Sequence, residues 1–338
     1  MNSIRIARVA VLCSAILMVA AATNARADQK LRWKFEKGEQ LNYVLDRAID
    51  GTMNINGNEL KLGMNMAFDV TWNVQEVDSD GSATIGLTVD RIQMKAKMPF
   101  PGMPDIELDS AQLPEEDNPI IGQIKPLLDG MLNQAFTMNV SPLGGVTDIE
   151  FPDALKQMFG GDDEQEGGDG QRRGRRGGGG GLPGLDTFSE KGIQQIIRQM
   201  VLPLPEDAVN DDVTWTQTFE NEEPGAGIQT TETTFSYAGE ADKDGAKLVK
   251  LEAETELFFD PAEEATTEVE LGDQEGQATI LFDAVTGHLV ESVGTQMFVK
   301  TMDTRRGSVE QSITEKVTMR LGKSPAPEPK EESPKDES

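Results

Sequence analysis

The sequence predicts a mainly β (α+β) fold, in which a long curved antiparallel sheet or half-barrel carries two or three helices on its concave face. Two observations predict the sheet: apolar and polar residues alternate with a period of two, and turn residues separate the alternating runs. In 66–74, Met66, Phe68, Val70 and Trp72 share one side. Such alternation is typical of an antiparallel sheet with one solvated face. A two-sheet sandwich with a helical insertion is the open alternative.

Further strands are predicted along most of the chain. A second alternating strand is predicted over 309–321. One side carries Val309, Gln311, Ile313, Glu315, Val317, Met319 and Leu321, and the other carries Glu310, Ser312, Thr314, Lys316, Thr318 and Arg320. The other predicted strands are 39–49, 83–98, 134–141, 213–219, 228–239, 247–258, 277–283 and 288–301.

Helices are predicted only in the middle of the chain. Asn118-Pro119 is a typical start for a first helix over 119–133, since proline suits the first turn. A short helix is predicted at 152–159. Ser189 caps a third helix that ends before Pro203, because proline cannot continue it. The apolar faces of these helices are expected to pack on the dry face of the sheet.

A short residue pattern occurs twice and suggests that the domain has two similar halves. Glu76-x-Asp78-x-Asp80-Gly81 recurs as Glu240-x-Asp242-x-Asp244-Gly245, and Asp-Gly between alternating runs is a strong hairpin signal. The interpretation is one β-rich domain over 28–321 with halves 28–159 and 186–321, each built around a long hairpin. A chance match of common turn residues is the alternative.

The N-terminus has the three parts of a secretory signal peptide over residues 1–27. Arginines precede an uncharged apolar run from Val9 to Ala22, and Ala25-Arg26-Ala27 supplies the small residues that signal peptidase requires. Cleavage after Ala27 is expected to give a periplasmic or secreted protein. Cys13 lies inside the apolar run, so the mature chain is expected to have no cysteine and therefore no disulfide.

Two segments are predicted to be disordered: the glycine-, arginine- and acid-rich insert 160–185, and the Pro/Lys/Glu tail 322–338. The formal net charge of the whole chain is −28. The signal peptide would remove three arginines and no acid, which leaves −31. A charge of this size opposes binding to nucleic acid or to an anionic membrane surface. No apolar stretch after residue 27 is long enough to span a membrane.

No motif for catalysis, a cofactor or a metal is recognised, so we expect a protein that is not an enzyme. The calcium-loop-like segment that begins at Glu240 has Leu251 where a bidentate acid is needed. The single histidine, His288, follows Thr286-Gly287 in a predicted turn and is expected to be exposed. One histidine excludes a multi-histidine metal site.

Methionine is the unusual apolar choice, because flexible and polarisable side chains suit a cavity for varied apolar ligands. Ordinary core packing is the alternative. The candidate apolar-ligand groove comprises Met66, Phe68, Met94, Met98, Phe100 and Met131.

Four groups of strand and turn residues lie in order along the chain. They are Gly38-Glu39-x-Leu41-x-Tyr43, Phe136-Thr137-Met138-x-Val140-Ser141-Pro142-x-Gly144-Gly145-Val146, Leu202-Pro203-Leu204-Pro205 with Val213-x-Trp215, and Phe282-Asp283-x-x-x-Gly287-x-Leu289. Together they resemble a family of exported proteins built on a domain of unknown function, common in planctomycete-type bacteria. The resemblance covers roughly 30–321 and implies no activity, ligand or functional residue. At fold level the architecture is similar to periplasmic lipoprotein and lipid carriers.

Two functional classes follow. The first is a non-catalytic envelope protein that binds or carries an apolar ligand or lipid. The alternative is a structural or protein-interaction component of the cell envelope with no small ligand, whose partner is another envelope protein.

Overall fold

The described part of the chain forms one open sheet. The structure is a computed structural model that describes residues 29–55, 57–97, 105–112, 119–159, 189–304 and 307–324. These residues contain a single 12-stranded antiparallel sheet, which is not closed, and three α-helices. The prediction of a mainly β fold with few helices is therefore confirmed. The predicted signal peptide, the insert 160–185, residues 98–104 and the tail beyond 324 lie outside the described residues.

The predicted strands and helices correspond to observed ones, and two short strands were not predicted. The helices are α1 Pro119–Met131, α2 Asp153–Phe159 and α3 Glu190–Gln199. The strands are β1 Gln40–Ile55, β2 Asn58–Val77, β3 Ala83–Lys97, β4 Ile106–Asp109, β5 Ala135–Val140, β6 Val146–Glu150, β7 Thr214–Glu223, β8 Gly227–Lys243, β9 Ala246–Pro261, β10 Thr267–Asp283, β11 His288–Thr304 and β12 Gly307–Leu321.

The strand order places the first and last strands at the centre of the sheet. The order is β6-β5-β3-β2-β1-β12-β11-β10-β9-β8-β7, and β4 pairs with β3. Tyr43 of β1 lies opposite Leu321 of β12. The Asp-Gly turns connect β2 to β3 and β8 to β9, as predicted for hairpins. Gly81, Asp244 and Gly245 have positive φ there, which tight turns require.

The inner face of the sheet, defined by Leu45, Phe68 and Phe235, carries the core. These side chains are buried at one end of the sheet, where α1 and α3 cover them. Segment 31–35 packs over the same end, with Trp33 1% exposed. At the opposite end of the sheet, the long strands β10 and β12 alternate between partly exposed and fully exposed side chains. Neither face of the sheet is buried there, and most of these side chains are polar.

Helix α3 is held at both ends by identifiable bonds. The Ser189 hydroxyl accepts from the N–H of Gly192 at 3.1 Å, as predicted for an N-cap. Just after α3, the indole N–H of Trp33 donates to the Leu202 carbonyl at 2.8 Å, and that of Trp215 donates to the Pro203 carbonyl at 2.9 Å. The end of α3 is therefore tied to the rim of the sheet.

An ion pair anchors the short strand β4. Arg91 on β3 donates to both carboxylate oxygens of Asp109, at 2.9 and 2.6 Å. The hydrogen bond from Arg91 holds the pKa of Asp109 below its usual range. Because the folded-state pKa is lowered, the pair stabilises the fold above the unfolded-state pKa of about 4, and this contribution is lost as the pH falls through the folded-state pKa.

We therefore expect Asp109→Asn to lower stability at pH 7, and the difference from wild type to narrow at pH 3. Urea denaturation at the two pH values measures this. The matched control is Glu107→Gln on the same strand, because its ion pair with Lys95 is largely exposed and contributes little. A difference for Asp109→Asn that does not depend on pH would contradict the assigned role of the carboxylate.

Candidate functional site

A groove with a mainly apolar lining lies on the inner face of the sheet. Its cavity volume is about 250 Å³, and it lies between α3 and the half of the sheet formed by β7–β12. Ile196 and Met200 form its roof, and strand residues form its floor and walls. Its mainly apolar lining and partial enclosure are typical of small-molecule sites, although its volume is slightly below their usual range of roughly 300–1,000 Å³.

Small side chains on three neighbouring strands create the floor of this groove. Gly294 of β11 lies opposite Ala278 of β10, which in turn lies opposite Ala253 of β9. This floor row continues to Phe235 on one side and to Val317 on the other. Because the middle three side chains are a hydrogen and two methyl groups, the floor is low between two bulkier walls.

The adjacent row across the same face is polar. Cross-strand register places Glu315 opposite Gln296, and Thr255 opposite Thr233, which lies opposite Gln217. We call these five residues the polar row. All of them line the groove, and the Thr233 and Thr255 hydroxyls are 3.1 Å apart. The groove is therefore apolar at its floor and hydrogen-bonding along one border.

The charges of the groove neutralise each other. Arg47 of β1 lies beside the floor row, opposite Val317, and its Nε donates to the Glu315 carboxylate. The two side chains are about one-quarter and one-fifth exposed. Arg47 and Glu315 are the charged residues in the lining, so the groove has no net charge although the chain is strongly acidic.

One donor in the polar row has no partner among the described residues. The side-chain nitrogen of Gln296 is buried and makes no hydrogen bond. A buried polar group left unpaired costs about 1–3 kcal/mol, so such groups are uncommon in folded proteins. The Nε2 of Gln296 is therefore a specific feature of the groove that requires an explanation.

The sheet curls around the groove beyond the polar row. Backbone pairing between β9 and β10 covers Val249–Glu254 and Gln277–Phe282, and the side chain of Gln274 then bridges the strands by bonding to both backbone groups of Leu257. Lys300 on β11 forms an ion pair with Glu223 on β7. In a flat sheet, strands four places apart would lie about 19 Å from each other. The pair therefore requires strong curvature toward the inner face.

The structure describes four of the six predicted groove residues. Met66 and Met94 are buried opposite each other on β2 and β3. Phe68 and Met131 line a separate void of only about 30 Å³. This is about the volume that one water molecule occupies in the liquid. Phe68 also borders the larger groove. Met98 and Phe100 lie outside the described residues, so the six-residue groove stays a prediction.

The predicted exposure of His288 is wrong. The residue is 8% exposed, because segment 34–39 crosses the β10–β11 turn and covers it. Its Nε2 lies 3.1 Å from the Lys34 carbonyl oxygen and 3.3 Å from Oε1 of Glu39. These contacts tie segment 34–39 to the sheet. The hydroxyl of nearby Tyr43 is buried as well, and this burial, with a smaller contribution from the charge of Glu39, raises the pKa of Tyr43 far above its usual range.

Apart from Phe68, the sequence analysis did not identify the residues that line this groove. The strand sequences nevertheless contained a signal for the groove. Ser292, Gly294 and Gln296 occupy successive positions on the inner side of β11, where apolar residues are expected. Glu315 breaks the apolar side of β12 in the same way. Polar or small residues at buried-face positions of adjacent strands indicate a cavity only once the register between those strands is known.

Within the described residues, no group of three or more His, Cys, Asp or Glu side chains is placed to hold a metal ion. No helix in the same ranges has the length and apolarity needed to cross a membrane.

Comparisons with known proteins give only remote structural likenesses. No family model and no curated protein matches the chain. An outer membrane channel from Pseudomonas putida is 8% identical, with 86% of this chain and 97% of that chain covered and a TM-score of 0.22. DynF from the dynemicin biosynthesis pathway of Micromonospora chersina is 6% identical, with 85% and 83% covered and a TM-score of 0.18. A protein from a domain-of-unknown-function family in Desulfovibrio piger is 11% identical, with 82% and 85% covered and a TM-score of 0.12. TM-scores this low identify no shared fold and support no functional argument.

Proposed function

We propose that this chain is a non-catalytic protein of the cell envelope that binds an apolar ligand, a single lipid chain, in the groove beneath α3. The observation that carries the proposal is the cavity of about 250 Å³ with its apolar floor. The secretory signal predicted for residues 1–27 supports a location outside the cytoplasm.

Size and charge both support one uncharged chain as the occupant. Pockets for drug-sized ligands measure roughly 300–1,000 Å³. At about 250 Å³ this groove is slightly smaller, so it suits one chain better than a two-chain phospholipid. Among the described residues, the only charges in the lining are those of Arg47 and Glu315, which form a pair. An uncharged chain therefore matches the lining without leaving either charge unpaired.

Gly294→Leu tests the proposal by filling the groove from its floor. A Cβ at this position would make ordinary contact with Ala278 at 3.4 Å, so a side chain can be added without a backbone clash. The wild-type protein should bind a fluorescent long-chain acyl probe in a direct titration. Gly294→Leu should weaken that binding at least about tenfold while the protein stays folded, because the new side chain occupies the ligand volume.

The matched control is Thr314→Leu, which places the same leucine side chain on the exposed face of β12 and should leave probe binding unchanged. Absence of probe binding by folded wild-type protein at tens of micromolar would refute the proposed function. Binding that Gly294→Leu leaves intact would move the ligand to another site.

A specific observation also supports the second candidate, a structural or protein-interaction component of the envelope. β7 ends the strand order, and its outer edge has no strand partner among the described residues. Ile228 and Phe258 on the neighbouring strands β8 and β9 are each more than 40% exposed. An open edge beside exposed apolar side chains is able to pair with a strand of another protein. This candidate would remain if the wild-type protein bound no probe.

A further inference from the structure

The unpaired donor of Gln296 specifies the ligand more narrowly than the apolar floor does. Gln296 lines the groove, but its unpaired Nε2 is buried against protein and is not open to the groove. We infer that the groove takes an uncharged single-chain acyl ester and that the amide of Gln296 turns when the ligand enters, so that the carbonyl oxygen of the ester accepts a hydrogen bond from Nε2. This inference rests on the proposed function and adds the chemical class of the ligand head. A carbonyl oxygen is an acceptor without charge, which is the group that an unpaired amide N–H requires.

The position of Gln296 places the ester at the border between the apolar and polar rows. Gly294, two residues earlier on the same face of β11, belongs to the floor, and Gln296 belongs to the polar row. A chain lying over Gly294 and Ala278 would therefore reach the amide where its apolar part ends. Beyond the amide, the hydroxyls of Thr233 and Thr255 and the amide of Gln217 line the groove. These groups suit the hydroxyls of a small alcohol such as glycerol.

The surroundings of Gln296 disfavour a charged head. Glu315 lies directly opposite Gln296 in the register, and its carboxylate already accepts from Arg47. A carboxylate or phosphate head would lose water and meet Glu315 without gaining a free cation. The strongly negative chain would also repel it at long range. An ammonium head would gain no free carboxylate, because Glu315 is already paired with Arg47.

Two ligands that differ only in the carbonyl group test the inference. Glycerol monomyristate carries the ester, and the corresponding glycerol monotetradecyl ether has the same chain and hydroxyls without the carbonyl. Isothermal titration of the full-length protein, below the concentration at which either ligand aggregates, should give about tenfold tighter binding of the ester, the effect of one buried hydrogen bond. Myristate at pH 7.5 should bind more weakly than the ester.

Gln296→Met separates this hydrogen bond from general packing, because the side chain keeps its length but loses the donor. The variant should bind ester and ether equally, with affinity for the ether unchanged. Its melting temperature without ligand should be no lower than that of wild type, since an unpaired buried donor has been removed. The control is Thr314→Leu on the exposed face, which should keep the tenfold ester preference.

The outcomes distinguish the inference from the proposed function. If neither ligand nor myristate binds to folded wild-type protein, the proposed function fails. If the ligands bind but ester and ether bind equally, or myristate binds as tightly as the ester, the groove is a lipid site and the inference about Gln296 is wrong. An ester preference that survives in Gln296→Met also overturns it.

Discussion

Trp33→Ala should destabilise the protein by about 3–5 kcal/mol, the usual cost of removing a buried tryptophan side chain. Its ring packs against Trp72 from the first half of the chain and Phe282 from the second, with centroids 5.8 and 5.7 Å apart. Its indole N–H donates to the Leu202 carbonyl, and its backbone N–H donates to the Pro142 carbonyl. Removing the side chain therefore leaves a cavity where the two halves meet.

Thermal unfolding followed by circular dichroism should show a fall in melting temperature of roughly 10 °C for Trp33→Ala. Trp33→Phe is the graded control: it keeps most of the ring volume and loses only the bond to the Leu202 carbonyl, so it should lie between wild type and Trp33→Ala. A melting temperature for Trp33→Ala within two or three degrees of wild type would show that segment 31–35 is not part of the folded core.

Met94→Lys should also destabilise the fold by several kcal/mol, because Met94 is 3% exposed and its cross-strand neighbours, Met66 and Leu108, are apolar. The loss should become smaller as the pH rises toward 10, since the buried ammonium group deprotonates more readily than one in water. Urea denaturation at pH 7 and pH 9.5 measures both effects.

Met297→Lys is the matched control, because this methionine is 38% exposed on the outer face of β11. It should change stability by less than about 0.5 kcal/mol, as exposed substitutions usually do. If Met94→Lys were equally neutral and abolished probe binding, the methionine cluster would line an accessible cavity, as the sequence analysis predicted. The structure favours the packed alternative for Met94.

Most strands could be predicted because burying one face imposes alternation on the sequence. Their far ends were missed because the alternation is interrupted before them. In β1 the interruption is Asp50-Gly51-Thr52, and in β10 it is the run 272–277, which has no apolar side chain on either face. β4 has four residues and β6 has five, which is too short for a periodic pattern. The helices were predicted well because a cap at Ser189 and an apolar face are both local signals.

The candidate site could not be predicted in the same way, because its volume depends on residues that are far apart in sequence. Gly294, Ala278 and Ala253 are ordinary strand residues until the register places them side by side. The methionines drew attention because their side chains are chemically distinctive. A cavity, however, forms where side chains are small, and residue type alone does not show which small residues are neighbours.

The central pairing of β1 with β12 has a consequence for the order in which the molecule can fold. Arg320 bonds to Asp46 from 274 residues further along the chain. Loop-closure entropy must be overcome before contacts at such separation contribute, whereas each strand from β7 to β12 pairs with its neighbour in sequence. The β7–β12 meander can therefore form early from local hairpins, while the edge of β1 that faces β12 stays unpaired until residues 307–321 have emerged. A chain interrupted before β12 would leave both β1 and β11 with open edges, the state in which strand proteins are most prone to aggregate.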